Sequence, residues 1–234
     1  MKRYKLIIID ADDTLLDYER DERTAFSALF KELNVPCAED FEKECHALSR
    51  AVWEKVGLND VDKREIRAVW HELYRTHVTE LFMRIQEKLS RKIEPAYCAA
   101  RLLTLLCERG HLMPTVEETL PKLKEKGYRL VVLTNGISKI QRGRLREIAR
   151  YFDKIYVSEE ENLMKPQPEL FNRILSDFSV KAEECIMLGD SLKSDILGAK
   201  TVGIDSCLVR AKGQKETAQS TYSVEKFSSV LAFL

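Results

Sequence analysis

Leu6-Ile7-Ile8-Ile9-Asp10-Ala11-Asp12-Asp13-Thr14-Leu15-Leu16-Asp17 is the stretch on which the fold of this chain turns. Four apolar residues, three of them β-branched, run directly into acids at 10, 12 and 13. A continuous apolar run of that length reads as a strand buried on both faces, as in parallel sheets. Open α/β sheets place their ligands at the carboxyl ends of such strands. Three clustered acids repel one another unless a cation or a shared proton intervenes. Core packing gives no reason for them, so this stretch is the candidate active site.

From Asp17 to Arg109 the periodicity becomes helical. Phe26, Leu29, Phe30 and Leu33 form one apolar stripe, ended by Asn34-Val35-Pro36. Phe41, Cys45, Leu48, Val52 and Val56 form a second, closed by Gly57. A longer stripe runs from Ile66 through Trp70 and His77 to Leu89. Pro95 breaks the pattern before a helix carrying Leu102, Leu103, Leu105 and Leu106, which stops at Gly110. Trp53, Trp70 and His77 lie on or beside these stripes and are read as packing residues rather than ligands.

After Pro114 strands and helices alternate. Strands are predicted at 129–134, 155–157, 185–188 and 207–209. The helices between them span 116–126, the basic stretch 139–150, a segment through Phe171 and Ile174, and one through Ile196 and Ala199. The tail from Lys212 to Ser223 reads as a surface loop, with a last helix through Phe227 and Val230. Such alternation signals a parallel sheet with right-handed crossovers. The predicted architecture is α/β: a Rossmann-like three-layer core over residues 1–16 and 112–234, with an all-helical cap inserted at 17–111, over the carboxyl end of the first strand.

The 234 residues include 44% hydrophobic and 32% charged side chains, with 38 basic against 38 acidic. That balance gives no general affinity for a nucleic acid polymer or a membrane. No run approaches the roughly 20 apolar residues that span a bilayer, and Met1-Lys2-Arg3-Tyr4 is no leader. A cytoplasmic protein is expected, with monomer and homodimer both open. Cysteines 37, 45, 98, 107, 185 and 207 and histidines 46, 71, 77 and 111 lack zinc-ligand spacing, so the thiols read as small buried hydrophobes.

Four features fall at carboxyl ends of predicted strands: Asp10/Asp12, Thr134-Asn135-Gly136, Lys165-Pro166, and Gly189-Asp190 with Asp195. Each alone is ordinary turn, loop or cap chemistry. In this order they resemble the haloacid-dehalogenase-like phosphohydrolases. The D-x-D-x-T motif is matched by Asp10, Asp12 and Thr14, the strand-ending Thr by Thr134, the Lys by Lys165, and G-D-x-x-x-x-D by Asp190 and Asp195. The helical insertion is similar to that family's cap of the first type.

The resemblance implies a phosphoric monoester hydrolase with Mg²⁺ as cofactor and a small phosphorylated metabolite as partner. Asp10 is implied as nucleophile and Asp12 as acid/base. Asp10, Asp190 and the Asp12 backbone carbonyl would hold Mg²⁺, an ion suited to oxygen donors. Lys165 would neutralise phosphoryl charge, while Thr134 and the Asn135 amide bind its oxygens. Asp195 would orient Lys165 or a metal-bound water, with Thr14 in support. Asp13 reads as an exposed turn acid. The second aspartate favours phosphoryl transfer over carbon–halogen cleavage.

Asp10-Ala11-Asp12, Ser158-Glu159-Glu160 and Asp195-Ile196-Leu197-Gly198 resemble the family's pyrimidine 5′-nucleotidase branch. Sugar phosphates and phosphoglycolate are the alternatives, and a silent binding module or a phospho-acceptor domain the readings from another class. Pro114-Thr115-Val116 departs from the family's Pro-Gly-Val, which bears on the backbone at the cap return. Lys139, Arg142, Arg144, Arg146 and Arg150 read as a solvated helix face, with substrate steering as the alternative.

Overall fold

A computed structural model describes residues 4–36, 40–89, 91–210 and 219–234. Cys37 and residues 211–218, which take in most of the predicted tail loop, lie outside the described residues. The opening stretch forms β1 (Leu6–Ile9), at the centre of a six-stranded parallel sheet. It pairs with β2 (Arg129–Thr134) on one side, beyond which lies β3 (Lys154–Val157). On its other side come β4 (Cys185–Gly189), β5 (Asp205–Val209) and β6 (Tyr222–Val224). The order is β3-β2-β1-β4-β5-β6.

Alternation along β1 builds the three layers. Ile7 and Ile9 point into one core with Val116, Leu120 and Phe227, whereas Leu6 and Ile8 point into another with Leu170, Phe171 and Ile174. All four strand residues are fully buried, which explains why the run is apolar throughout.

Between β1 and β2 lie α1 (Tyr18–Glu32), α2 (Phe41–Lys55), α3 (Arg64–Lys88) and α4 (Pro95–Leu106). Asp17 caps α1 by accepting from Arg20 N at 2.9 Å, and Pro95 takes the first position of α4, where no amide is required. These helices gather a core of their own around Phe26, Phe30, Phe82 and Leu102, into which Ile137 and Ile140 also reach. The two crossings between helices and sheet run side by side. Leu16 pairs with Leu112, Asp17 N donates to His111 O at 2.8 Å, and Met113 N donates to Leu15 O at 2.9 Å.

The remaining helices are α5 (Val116–Glu125), α6 (Ser138–Leu145), α7 (Ser158–Glu161), α8 (Pro168–Asp177) and α9 (Leu197–Thr201). Thr115 takes the left-handed conformation (φ 69°), and its hydroxyl accepts from Ser228 N at 3.0 Å. Among the described residues, no helix is long and apolar enough to cross a membrane.

Four expectations need correction. The end of the predicted tail loop is β6, a sixth strand whose polar three-residue sequence lacks the apolar signal of its neighbours. The helix expected over 139–150 ends at Leu145, and short-range bonds such as Ile148 N to Leu145 O tighten it into a 3₁₀ turn at Ala149–Tyr151. The segment through Ile196 opens with a π turn at Leu192–Ile196 before α9. The last helix is 3₁₀ over Phe227–Ala232. Cys45, Cys98, Cys185 and Cys207 are buried, as expected of small apolar residues.

Candidate active site

The carboxyl ends of β1, β2 and β4 converge on one cavity of about 570 Å³, roofed by α1, α2 and α3. Asp10, Asp12, Thr134, Lys165 and Asp190 line its floor. Asp10 continues the sheet, its N–H bonded to Leu188 O at 2.9 Å, so its side chain leaves the end of β1 at a fixed position. The Asp10 Oδ1 accepts from Ala11 N at 2.7 Å and from Lys165 Nζ at 2.6 Å.

Lys165 is 2% exposed and also meets Asp195 Oδ1 at 2.7 Å. Burial pulls its ammonium down, but Asp10 and then Asp195 outweigh it, so the Lys165 pKa rises. The loop that carries it has a cis Lys165–Pro166 peptide and is clasped by Asn135. Asn135 Nδ2 donates to Lys165 O at 3.0 Å, while Lys165 N donates to Asn135 Oδ1 at 2.8 Å. The Asn135 side chain thus holds the lysine in place.

Asp195 is fully buried, and its oxygens are engaged by Lys165, the Ser194 hydroxyl and the Ser191 amide. A Cβ on Gly189 would lie 2.3 Å from Asp195 Oδ2, so the carboxylate can cross the end of β4 only over a glycine. Ser191 accepts from Ser194 N at 3.2 Å and caps the turn that follows. Asp10, Asp190 and Asp195 each offer an oxygen within 4.8 Å of the others. Burial first, then Asp10 and Asp195, drive the Asp190 carboxyl well above its ordinary range, and burial with Asp195 raises Asp10. An anionic, all-oxygen cluster of this kind fits Mg²⁺. Thr14 is fully buried, its hydroxyl without a hydrogen-bond partner among the described residues.

Asp12 is held from α6. Its Oδ2 accepts from Gln141 Nε2 at 2.7 Å, and the same nitrogen donates to Thr134 Oγ1 at 2.8 Å. Its Oδ1 accepts from Arg144. The sequence suggests a solvated helix face for Arg144, which is instead buried, because it shares the inward stripe of α6 with Ile140 and Gln141. Lys139, Arg142, Arg146 and Arg150 are exposed as expected. Asp13 is exposed in a left-handed turn (φ 54°) at the cavity edge.

The roof is aromatic. Trp53, Trp70 and Tyr74 pack edge to face or tilted with ring centroids 5.4–5.7 Å apart, and all three line the cavity. The packing role expected of the tryptophans is therefore only part of what they do. Trp70 Nε1 donates to Leu58 O at 3.0 Å and Trp53 Nε1 to Asn59 Oδ1 at 2.8 Å, which fixes both indoles. His77 is buried behind Trp53, its Nδ1 2.5 Å from Tyr74 O, in the packing role expected. Glu22, His46 and Ser49 form a bonded polar group on the same wall.

Residues 4–203 match the model of the haloacid dehalogenase-like hydrolase family, so the chain belongs to that family. With phosphatases and a nucleotidase among its named relatives, it stands among the family's phosphoric monoester hydrolases. It is 28% identical to the pyrimidine 5′-nucleotidase PynA of Streptococcus pneumoniae, across 97% of this chain and 94% of the relative. It is 29% identical to a glyceraldehyde 3-phosphate phosphatase of Pyrococcus furiosus, across 87% and 80% of the two chains. The solved HAD-hydrolase YfnB of Bacillus subtilis, bound to magnesium, superposes with a TM-score of 0.80 at 26% identity, covering 99% of both chains.

Proposed function

We propose that this phosphoric monoester hydrolase acts on nucleoside 5′-monophosphates through an aspartyl-phosphate on Asp10, with Mg²⁺ as cofactor. Residues 17–111 are read as the cap and residues 1–16 with 112–234 as the catalytic core. The observation that carries the reading is a single cavity with a carboxylate–lysine floor and an aromatic roof. The floor handles a phosphoryl group, and the roof offers faces on which a flat base stacks. A cytoplasmic setting belongs to the same reading.

A carboxylate oxygen of Asp10 attacks phosphorus, and a new O–P bond forms as the ester P–O bond breaks. Asp12 gives its proton to the departing alcohol oxygen. As a carboxylate, Asp12 then takes a proton from a water that attacks the same phosphorus. Phosphate leaves, and the Asp10 carboxylate and the Asp12 acid are restored. Lys165 balances charge on the phosphoryl oxygens, with Thr134 and the Asn135 amide as hydrogen-bond donors. Asp195 keeps Lys165 aimed at Asp10. Asp10, Asp190 and the Asp12 carbonyl would hold Mg²⁺, which when bound supplies positive charge for the transferring group.

The test is kcat/KM with Mg²⁺ across pyrimidine and purine nucleoside monophosphates, glyceraldehyde 3-phosphate and phosphoglycolate. A nucleoside monophosphate should stand at least tenfold above the others. A small sugar or acid phosphate in first place overturns the substrate assignment. Stable phosphoprotein without phosphate release points to an acceptor domain, and no reaction at all to a binding module.

A further inference from the structure

Arg144 is a buried guanidinium that the hydrolysis above does not use. Its side chain is fully enclosed, a position that a charged group holds only when it is paired. The pairing has two ends. Nε donates to Asp21 Oδ2 at 2.7 Å, while Nη1 donates to Asp12 Oδ1 and lies 3.2 Å from Gln141 Oε1. The Tyr18 ring covers the guanidinium, its centroid 5.1 Å from Cζ.

Asp21 ties this pair to the crossing between helices and sheet. Its Oδ1 accepts from His111 N at 2.7 Å and lies 2.7 Å from His111 Nδ1. His111 is the residue whose carbonyl binds Asp17 N, so both crossing segments meet beside Asp21. α6 lies unusually close to this junction. A Cβ on Gly143 would sit 2.2 Å from Cys107 O, and one on Gly110 would sit 2.3 Å from Arg144 O. Two glycines therefore let the Arg144 backbone dock directly on the return segment.

We propose that Arg144 is the positioning residue for Asp12. It fixes one oxygen of the Asp12 carboxyl while Gln141 takes the other, and it references that carboxyl to the crossing through Asp21 and His111. A guanidinium has donors only and keeps its protons, so it acts through geometry and charge. The proposal rests on the reading of Asp12 as acid/base, because only a proton-transferring group requires this aim.

The test compares kcat/KM of the full-length enzyme with Mg²⁺ on two substrates, p-nitrophenyl phosphate and β-glycerol phosphate. The ratio kcat/KM extends only to the first irreversible step, here aspartyl-phosphate formation, in which the nitrophenolate leaves without a proton and the alkoxide does not. Arg144→Met should lower the alkyl value about 100-fold and the aryl value less than about 5-fold, in the range set by misplacing a catalytic group. Arg144→Lys should recover part of the alkyl loss. If Arg144→Met does not fold, Arg144→Lys must itself show the alkyl-selective loss. Equal losses on both substrates, or none, overturn the proposal. Asp12→Asn serves as the reference. A leaving-group contrast in Asp12→Asn with none at Arg144 rejects the positioning role alone, whereas no contrast in Asp12→Asn rejects the acid/base reading beneath it.

Discussion

Lys165 Nζ lies 2.6 Å from Asp10 Oδ1, and that contact joins the third motif of the chain to the first. The same ammonium holds Asp195 at 2.7 Å, so one buried cation separates two buried acids. Lys165→Met would leave both acids without their cation. Breaking a buried pair from one side costs about 3–5 kcal/mol, which urea denaturation reads directly. Turnover should fall by at least about 100-fold in the same variant, as loss of phosphoryl charge stabilisation implies.

The Asp190 carboxyl is raised by burial and by its acidic neighbours, the signature of a site short of positive charge. Mg²⁺ should therefore stabilise the fold by mass action, giving a melting temperature that climbs with ion concentration. Asp190→Asn should flatten that climb and abolish turnover. Chelation of the wild type should remove activity, and Mg²⁺ should restore it. A melting temperature indifferent to Mg²⁺ in the wild type contradicts the ligand assignment.

Trp53 presents its ring to the cavity from α2, held by Asn59. Trp53→Leu keeps an apolar side chain but removes the stacking face. KM for a nucleoside monophosphate should rise roughly tenfold, the scale of one lost base–aromatic contact, with little change in kcat. KM for β-glycerol phosphate, which has no base, should not move. Steady-state kinetics on the two substrates decide it.

His46 Nδ1 stands 2.6 Å from Glu22 Oε2, and this bond raises the His46 pKa against the opposing pull of burial. Glu19, 4.0 Å from Nε2, adds to the rise, and Arg50 opposes it. A group raised on folding contributes stability that is fully present below its unfolded pKa of about 6.5 and is lost as pH rises through the folded value. The stability difference between wild type and His46→Asn should therefore be larger at about pH 5.5 than at about pH 9. Denaturant unfolding at the two pH values measures it, and a difference that grows with pH contradicts the pairing.

β1 was legible because burial on both faces leaves an unbroken apolar run, and the acids behind it stood out against that run. Lys165 and Asp195 were legible through motif spacing rather than local pattern, since nothing near either residue announces a partner. Arg144 is hidden in the sequence because five basic residues in twelve suggest a solvated face. The stripe itself held the signal: Ile137, Ile140, Gln141, Arg144 and Ile148 share the inward side, so a charge at 144 required a buried partner. That partner, Asp21, lies 123 residues away, a distance at which no sequence period operates. The aromatic roof was hidden for a similar reason. A stripe shows that Trp53 and Trp70 face inward, but only the packed helices reveal a cavity there.

The nucleophile can be caught in the act. Full-length enzyme mixed with Mg²⁺ and a ³²P-labelled phosphomonoester, quenched in acid within one turnover and digested, should yield a labelled peptide containing Asp10. The label should be lost to hydroxylamine, as an acyl phosphate requires, and should be absent from Asp10→Asn, a variant expected to remain folded. Phosphate released with no labelled protein at any quench time, or label on a residue other than Asp10, would contradict catalysis through Asp10.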